Sequence, residues 1–112
     1  MKVFDEEIIA LAAERLRALA DPSRLQIIHY LQEGERCVTE LVGLMGQNQV
    51  NISRQLRILE KASMVARRKQ GLKAYYSIKN QNILSICDIL CNFLKEEFSQ
   101  QKRILKKLER VK

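Results

Sequence analysis

The sequence is poor in residues that break regular structure or mark fibrous and disordered chains. Its 112 residues include one proline, four glycines and no tryptophan, and 46% of them are apolar. Because collagen-like repeats need abundant glycine and disordered chains have few apolar residues, both classes are excluded. The length suits one domain over residues 1–112 and leaves no room for a large catalytic fold with its own substrate domain.

Long hydrophobic runs are also lacking. No stretch of about 18 consecutive apolar residues occurs, so we expect no transmembrane helix. The chain becomes acidic at Asp5, Glu6 and Glu7, and its first residues contain neither the apolar core nor the cleavage site of a signal peptide. We therefore expect a cytoplasmic protein.

Catalytic motifs are equally scarce. The sequence contains one histidine, His29, and no glycine-rich phosphate loop, paired carboxylates or nucleophile–base motif. We therefore predict that the protein is not an enzyme. A thiol enzyme that uses Cys37 with His29 is the rival hypothesis, and trapping of a thiolate at neutral pH would distinguish it.

Positive charge is concentrated in one quarter of the chain. The net charge is +7, and residues 52–79 hold eight basic residues against one acid. The remaining 84 residues hold twelve of each sign. This local excess predicts an acidic partner, either nucleic acid or an anionic membrane surface. The membrane alternative is weaker, because Arg67, Arg68 and Lys69 fall on a predicted hairpin and not on an amphipathic helix.

Hydrophobic spacing predicts two helices in the first third of the chain. Residues 5–19 repeat apolar side chains at helical spacing. Asp21 then precedes Pro22, which is the pattern of an N-cap followed by proline at the first helical position. We expect this second helix to end near Gly34.

The next two predicted helices form a helix-turn-helix pair. A short helix fits residues 39–45, with Thr39 as its candidate cap and Gly46 at its end. A polar turn leads into a helix at about 49–61, whose two faces differ in polarity. The buried stripe would be Ile52, Leu56 and Leu59, and the outer face Val50, Asn51, Arg54, Arg57 and Lys61.

The periodicity then changes. Residues 64–69 and 72–78 read as a hairpin, with the turn at Gln70 and Gly71. From Asn80, a candidate cap, one long helix reaches the high 100s, and its first half is apolar over most of its circumference. Such a helix needs a partner subunit. The fold class is therefore mainly α with a β-hairpin (α+β), a winged helix-turn-helix with a long C-terminal dimerisation helix.

Three segments resemble the ArsR/SmtB family of bacterial repressors. They are the opening at residues 19–28, the helix at 49–59, and the hairpin at 67–71 continuing through 75–78. The resemblance covers about residues 8–80. It implies a homodimer that binds a palindromic operator in double-stranded DNA and blocks transcription until an inducer releases it. Family members respond to metal ions, arsenite or antimonite, reactive sulfur or oxidants, and some have no known inducer.

The DNA-binding residues follow from this arrangement. A recognition helix in the major groove places amide and guanidinium groups near base edges, where amides suit adenine and guanidinium suits guanine. The remaining cations would hold phosphates and set the register. The expected set is Gln49, Asn51, Ser53, Arg54, Gln55, Arg57, Arg67, Arg68, Lys69 and Lys73.

Three cysteines, Cys37, Cys87 and Cys91, are the candidate sensing residues. Against the family pattern, Thr39 stands where many members have a second cysteine, and Leu90 stands where the last helix would carry a zinc-binding histidine after Asp88. A zinc site of nitrogen and oxygen ligands is therefore not expected.

A different use of the thiols stays open. Cys87 and Cys91 share one helix face at i, i+4, and Cys37 from either subunit could complete a three-thiolate site for As(III), Sb(III) or another soft ion. The alternatives are a persulfide or redox switch, and cysteines that only pack. The inducer is expected to act by shifting the dimer to a geometry that no longer matches one turn of DNA.

Overall fold

The computed structural model describes residues 5–111, which divide into two compact units, one ending at Asn80 and the other beginning at Gln81. Met1 to Phe4, which belong to the expected leaderless start, lie outside the described residues, as does Lys112. The elements follow the predicted order, with one extra strand. They are α1 (Glu6–Leu19), α2 (Pro22–Leu31), β1 (Arg36–Cys37), α3 (Val38–Met45), α4 (Gln49–Lys61), β2 (Val65–Gln70), β3 (Lys73–Ile78) and α5 (Asn82–Glu109).

The first two helices begin as the sequence predicts. Asp5 caps α1, where its Oδ1 accepts the Ile8 N–H at 2.9 Å. Asp21 caps α2, where its Oδ2 accepts the Arg24 N–H at 3.1 Å and Pro22 takes the first helical position. Both carboxylates occupy the end of the helix where the backbone N–H groups lack partners and the dipole is positive.

The predicted cap of α3 was wrong. The helix begins at Val38, and Cys37 takes the cap position in place of Thr39. The reason is β1, which the sequence analysis missed: Arg36 and Cys37 pair with β3 and hold Cys37 in extended backbone, as a cap requires. The Cys37 N–H donates to Glu40 Oε1 at 3.1 Å.

The three strands form one antiparallel sheet in the order β1-β3-β2. The predicted hairpin is confirmed, but its turn lies one residue later than predicted: the last pair, Gln70 with Lys73, leaves a two-residue turn of Gly71 and Leu72. Gly71 has φ of 62°, a conformation that glycine adopts without the penalty other residues incur. The strands therefore place their basic side chains on both arms of a narrow projection.

The core of the first unit confirms the predicted stripe of α4. Ile52, Leu56 and Leu59 are fully buried, and α1, α2, α3 and the sheet contribute further buried side chains. Seven large side chains have almost no solvent exposure: Ile27, Ile28, Leu41, Ile52, Leu56, Leu59 and Val65. This packing fixes which face of α4 remains outside.

The second unit is α5, whose 28 residues extend about 42 Å. It begins at Asn82, so Asn80 is not its cap as predicted; the Lys79 N–H still donates to Met64 O at 3.1 Å and continues the hairpin. Many of its apolar side chains are exposed in a single copy, with Phe93 at 61%. No helix over residues 5–111 has the length and apolar content needed to cross a bilayer.

Candidate nucleic-acid interface

A three-residue turn joins α3 to α4. Gly46 ends α3 with φ of 65°, and its N–H donates to Val42 O at 3.0 Å. Asn48 caps α4, where its Oδ1 accepts the Asn51 N–H at 2.8 Å. The left-handed Gly46 satisfies a carbonyl group at the end of α3, and the Asn48 cap satisfies an N–H group at the start of α4. The residues of the turn therefore end one helix and begin the next within three positions. The geometry is the predicted helix-turn-helix.

The outer face of α4 brings together five residues around an open, shallow hollow. Four of them belong to the predicted DNA-binding set, and the fifth, Val50, is 76% exposed. The hollow is lined by Gln49, Val50, Ser53, Arg54 and Arg57. Hydrogen-bonding, apolar and cationic groups on one exposed helix face suit base edges and phosphates together.

Gln55 does not join this outer face. It is 8% exposed, its Oε1 accepts from Arg24 Nη1 at 2.7 Å, and its Nε2 donates to Asn51 Oδ1 at 3.3 Å. The structure therefore places it among the inward-facing residues and not with the expected base readers. Its position at i+3 from Ile52 is the signal that could have revealed this burial.

Sequence reasoning missed Arg24. Its guanidinium lies where the end of α1, the start of α2 and the middle of α4 meet. Nε donates to Ala18 O at 2.7 Å and Nη2 to Arg17 O at 3.3 Å, in addition to the bond to Gln55. Since a guanidinium fork can satisfy several acceptors at once, one side chain ties three helices together. No local pattern marks this role, because its partner Gln55 is 31 residues away.

The hairpin carries the other predicted cations, and not all of them are equally available. Lys69 and Lys73 are exposed near the tip. Arg67 Nε lies 3.8 Å from Glu60 Oε2. Arg68 donates to the carboxylate of Glu35 through two nitrogens and lies over the ring of Tyr75, with its guanidinium carbon 5.0 Å from the ring centroid. The hydrogen bond from Arg68 holds the pKa of Glu35 below its usual value, so the pair is ionised at neutral pH.

The cysteines differ in their surroundings. Cys37 is buried at the cap of α3, whereas Cys87 is half-buried and Cys91 exposed on α5. Burial raises the pKa of the Cys87 thiol, and the neighbouring Cys91 and Asp88 raise it further. Among the residues described in one copy, no group of three or more histidine, cysteine or acidic side chains is arranged to hold a metal. A three-thiolate site that includes a second copy stays a prediction.

A helix-turn-helix with an exposed polar and basic face, followed by a basic hairpin, defines the winged helix-turn-helix class of proteins. A family model described as "Bacterial regulatory protein, arsR family" matches residues 21–67, which run from the cap of α2 into β2. The chain belongs to the ArsR/SmtB family of transcriptional repressors.

Curated relatives agree with this assignment. The transcriptional repressor SmtB homolog of Synechocystis is 36% identical over 84 residues, 75% of this chain and 64% of the relative. The regulator Rv0081 of Mycobacterium tuberculosis is 33% identical over 104 residues, 92% of this chain and 91% of the relative. The cadmium resistance regulatory protein CadC of Listeria innocua is 35% identical over 71% of this chain and 68% of its own. The chain thus spans less than two thirds of the SmtB homolog.

Solved structures share the fold. The crystal structure of Rv0081 superposes with a TM-score of 0.78 at 33% identity and covers 87% of this chain and 98% of that one. The solution structure of Mb0332 from Mycobacterium bovis, described as a homodimeric winged helix-turn-helix DNA-binding domain, has a TM-score of 0.74 at 26% identity and covers 86% and 91% of the two chains. The fold class predicted from sequence is confirmed.

Proposed function

We propose that two copies of this chain bind a palindromic DNA operator and block transcription from it. The observation that carries the proposal is the outer face of α4, where Gln49, Ser53, Arg54 and Arg57 surround one exposed hollow beside a basic hairpin. In this assignment α4 enters the major groove and the hairpin contacts the adjacent backbone. In this proposal residues 1–112 form a single DNA-binding domain that includes both compact units. The protein acts in the cytoplasm, where the operator lies.

The homodimer is proposed from α5. Its apolar side chains Ile89, Leu90 and Phe93 are each more than half exposed in one copy, which is costly in water and typical of an interface. The resemblance to the homodimeric Mb0332 domain supports this assignment. A two-fold dimer presents two equivalent recognition helices, and therefore reads a sequence repeated in inverted orientation.

The basic side chains of α4 and the hairpin have two different roles in this proposal. Arg54 reads a base edge from the centre of the hollow, while Arg57, Arg67, Lys69 and Lys73 contact phosphates. Neutralising about six phosphates in the dimer makes binding steeply salt-dependent, with affinity falling by orders of magnitude between low and moderate salt.

The operator can be obtained by selecting a randomised DNA duplex library with the purified full chain. Binding of the enriched duplex is then measured by fluorescence anisotropy at several salt concentrations. Lys69→Met should weaken binding to all duplexes and flatten the salt dependence, whereas Arg54→Met should also remove preference at one base pair. Absence of any enriched sequence would reject operator recognition, and a monomer in light scattering would reject the dimer.

We further propose that the inducer is a soft metal or metalloid ion such as arsenite, taken up by thiols. Cys87 and Cys91 lie one turn apart on α5, where two sulfurs can share one ion, and Cys37 of a second copy could offer a third. The competing hypotheses are release by persulfide or oxidation, and cysteines that only pack.

The inducer test is a titration of the protein–operator complex with arsenite, antimonite, zinc, cadmium and persulfide. The parent chain is compared with a variant in which Cys37, Cys87 and Cys91 are all serine. If arsenite releases the parent chain from DNA but does not release the variant, the result supports a metalloid inducer. If persulfide alone releases the parent chain, the result supports the redox alternative. An unchanged complex under every condition would leave the thiols with a packing role.

A further inference from the structure

We propose that Arg24, Gln55 and Asn51 form a relay of hydrogen bonds that positions Arg54 to read guanine, and that neither amide side chain reads a base itself. The proposal rests on the function proposed above. It concerns a series of hydrogen-bonded side chains that starts at the part-buried Arg24 of α2 and ends at the outer face of α4. Arg24, Gln55 and Asn51 would thus be positioning residues, and Arg54 the reader.

Each side chain of the relay is hydrogen-bonded to the next. Arg24 Nη1 donates to Gln55 Oε1 at 2.7 Å, and Gln55 Nε2 donates to Asn51 Oδ1 at 3.3 Å. The same Asn51 Oδ1 accepts from Arg54 Nη2 at 2.7 Å. The amide nitrogen of Asn51 donates to Gln47 Oε1, which also accepts from Ser23 Oγ at 3.2 Å. Every step lies within hydrogen-bonding distance.

The chemistry of arginine sets the direction of the relay. A guanidinium has five N–H donors and no acceptor, so Gln55 must present its oxygen to Arg24 and its nitrogen to Asn51. Asn51 must then present its oxygen to Gln55, which leaves that oxygen for Arg54 and its nitrogen for Gln47. One part-buried charge therefore determines the orientation of two amides that are otherwise free to flip.

This orientation argues against direct reading by Asn51. An asparagine reads adenine bidentately, with its nitrogen donating to N7 and its oxygen accepting from N6. Here both groups of Asn51 already have partners inside the chain. Arg54 has one nitrogen bound to Asn51 and is exposed at the hollow, which leaves the rest of its fork for the O6 and N7 of guanine.

The relay starts from a fixed point. Arg24 is held by two carbonyl oxygens at the end of α1, and its own N–H is bound by the cap Asp21. A side chain that is bound by backbone carbonyl groups of α1 and that projects from the capped first turn of α2 loses little freedom when it orients the next residue. Arg54 is thereby restrained before DNA arrives, which reduces the entropy it loses on binding.

The test compares how variants distinguish the enriched duplex from duplexes with one base pair changed. Arg54→Met should lower the preference for guanine at one base pair by about tenfold or more. Arg24→Met and Asn51→Ala should each lower the preference at the same base pair about fivefold or more, with an unchanged salt slope. Arg15→Met, which removes the same charge outside the relay, should leave the preference unchanged.

A second variant guards against loss of fold in Arg24→Met. In Gln55→Glu the carboxylate still accepts from Arg24 but cannot donate to Asn51, so the core stays paired while the relay is cut. It should therefore reduce the guanine preference as Arg24→Met does. Side-chain amide NMR of the free protein reads the relay without DNA: the Asn51 and Gln55 resonances should shift in Arg24→Met and not in Arg15→Met.

Three results would overturn the proposal. If Asn51→Ala relaxes preference at a base pair different from that of Arg54→Met, Asn51 reads its own base. If Gln55→Glu weakens all duplexes equally, the relay contributes only to folding. If the amide resonances do not respond to Arg24→Met, the relay does not exist in solution. A failure of operator recognition itself would appear earlier, as a parent chain that enriches no sequence.

Discussion

Arg68 of the hairpin and Glu35, which precedes β1, form a bidentate ion pair although they lie 33 residues apart in the sequence. The guanidinium also lies over Tyr75 and donates to Gln70 Oε1 at 2.6 Å. A residue expected to hold a DNA phosphate is thus engaged within the protein. The pair joins the middle of the hairpin to the segment before β1 and lowers the net positive charge of the hairpin.

Releasing Arg68 should strengthen DNA binding. We expect Glu35→Gln to raise affinity for the enriched duplex severalfold at low salt and to steepen the salt slope by about 0.9 for each new phosphate contact. Anisotropy titrations at four salt concentrations measure both. Glu33→Gln is the matched control, because it removes the same charge from an exposed residue paired with Arg36. Equal effects of the two variants would mean that only net charge matters.

The same pair predicts a pH dependence. Because Arg68 lowers the pKa of Glu35, the stabilisation from the pair is fully present above the ordinary carboxyl pKa and is lost as the pH falls through the lowered one. NMR titration of the Glu35 carboxyl should therefore give a midpoint below that of an ordinary glutamate, and Arg68→Met should return it upward. A midpoint that Arg68→Met leaves in place would contradict this assignment.

The two faces of α4 should respond differently to truncation. Leu56→Ala removes a fully buried side chain and should lower the free energy of unfolding by about 2–5 kcal/mol. Val50→Ala, on the exposed face, should leave stability within about 0.5 kcal/mol and weaken DNA binding instead. Chemical denaturation and anisotropy separate the two quantities. A stability loss in Val50→Ala as large as that in Leu56→Ala would contradict the burial pattern.

Two glycines of α3 should give opposite results. Gly46 has φ of 65° at the end of the helix, so Gly46→Ala should cost about 1–2 kcal/mol of stability. Gly43 lies inside the helix with nothing within 4 Å of an added Cβ, so Gly43→Ala should add roughly 0.5–1 kcal/mol. Thermal unfolding of both variants is the measurement. A loss in both would point to a packing role for Gly43.

Thiol reactivity should follow exposure. At neutral pH iodoacetamide should label Cys91 faster than Cys87, because Cys91 is exposed and burial raises the pKa of Cys87, which keeps that thiol neutral. Cys37, buried at its helix cap, should react last. Peptide mass spectrometry over a time course gives the order, and raising the pH should narrow the difference between the α5 thiols. Faster labelling of Cys87 would mean that its surroundings differ in solution.

Local patterns were sufficient for most of the fold. The helices, the left-handed turn at Gly71 and the stripe of Ile52, Leu56 and Leu59 depend on spacing and on cap chemistry within a few residues. The strand at Arg36 and Cys37 was not predictable in this way. Its two residues have no periodicity, and only pairing with Tyr75 and Tyr76 makes them a strand.

The residues of the candidate interface also differ in whether local sequence patterns could predict their surroundings. The exposed side chains of α4 could be assigned from its amphipathic pattern. The i+3 spacing from Ile52 could have placed Gln55 on the buried side, but its polar partner there, Arg24, could not be predicted from local spacing. The engagement of Arg68 likewise depends on Glu35, which is remote in sequence. Long-range polar partners decide which groups remain available, and they leave no mark in local spacing.

The hairpin tip has one further consequence. Leu72 is fully exposed, and an added Cβ at Gly71 would meet nothing within 4 Å, so the tip makes little contribution to the core. Substitutions of Leu72 and small insertions after it should leave folding intact while changing how far the basic arms extend. Different residues therefore determine the stability of the domain and the distance to which the hairpin extends. The target of such a protein can diverge through the tip during evolution without any compensating change in the interior.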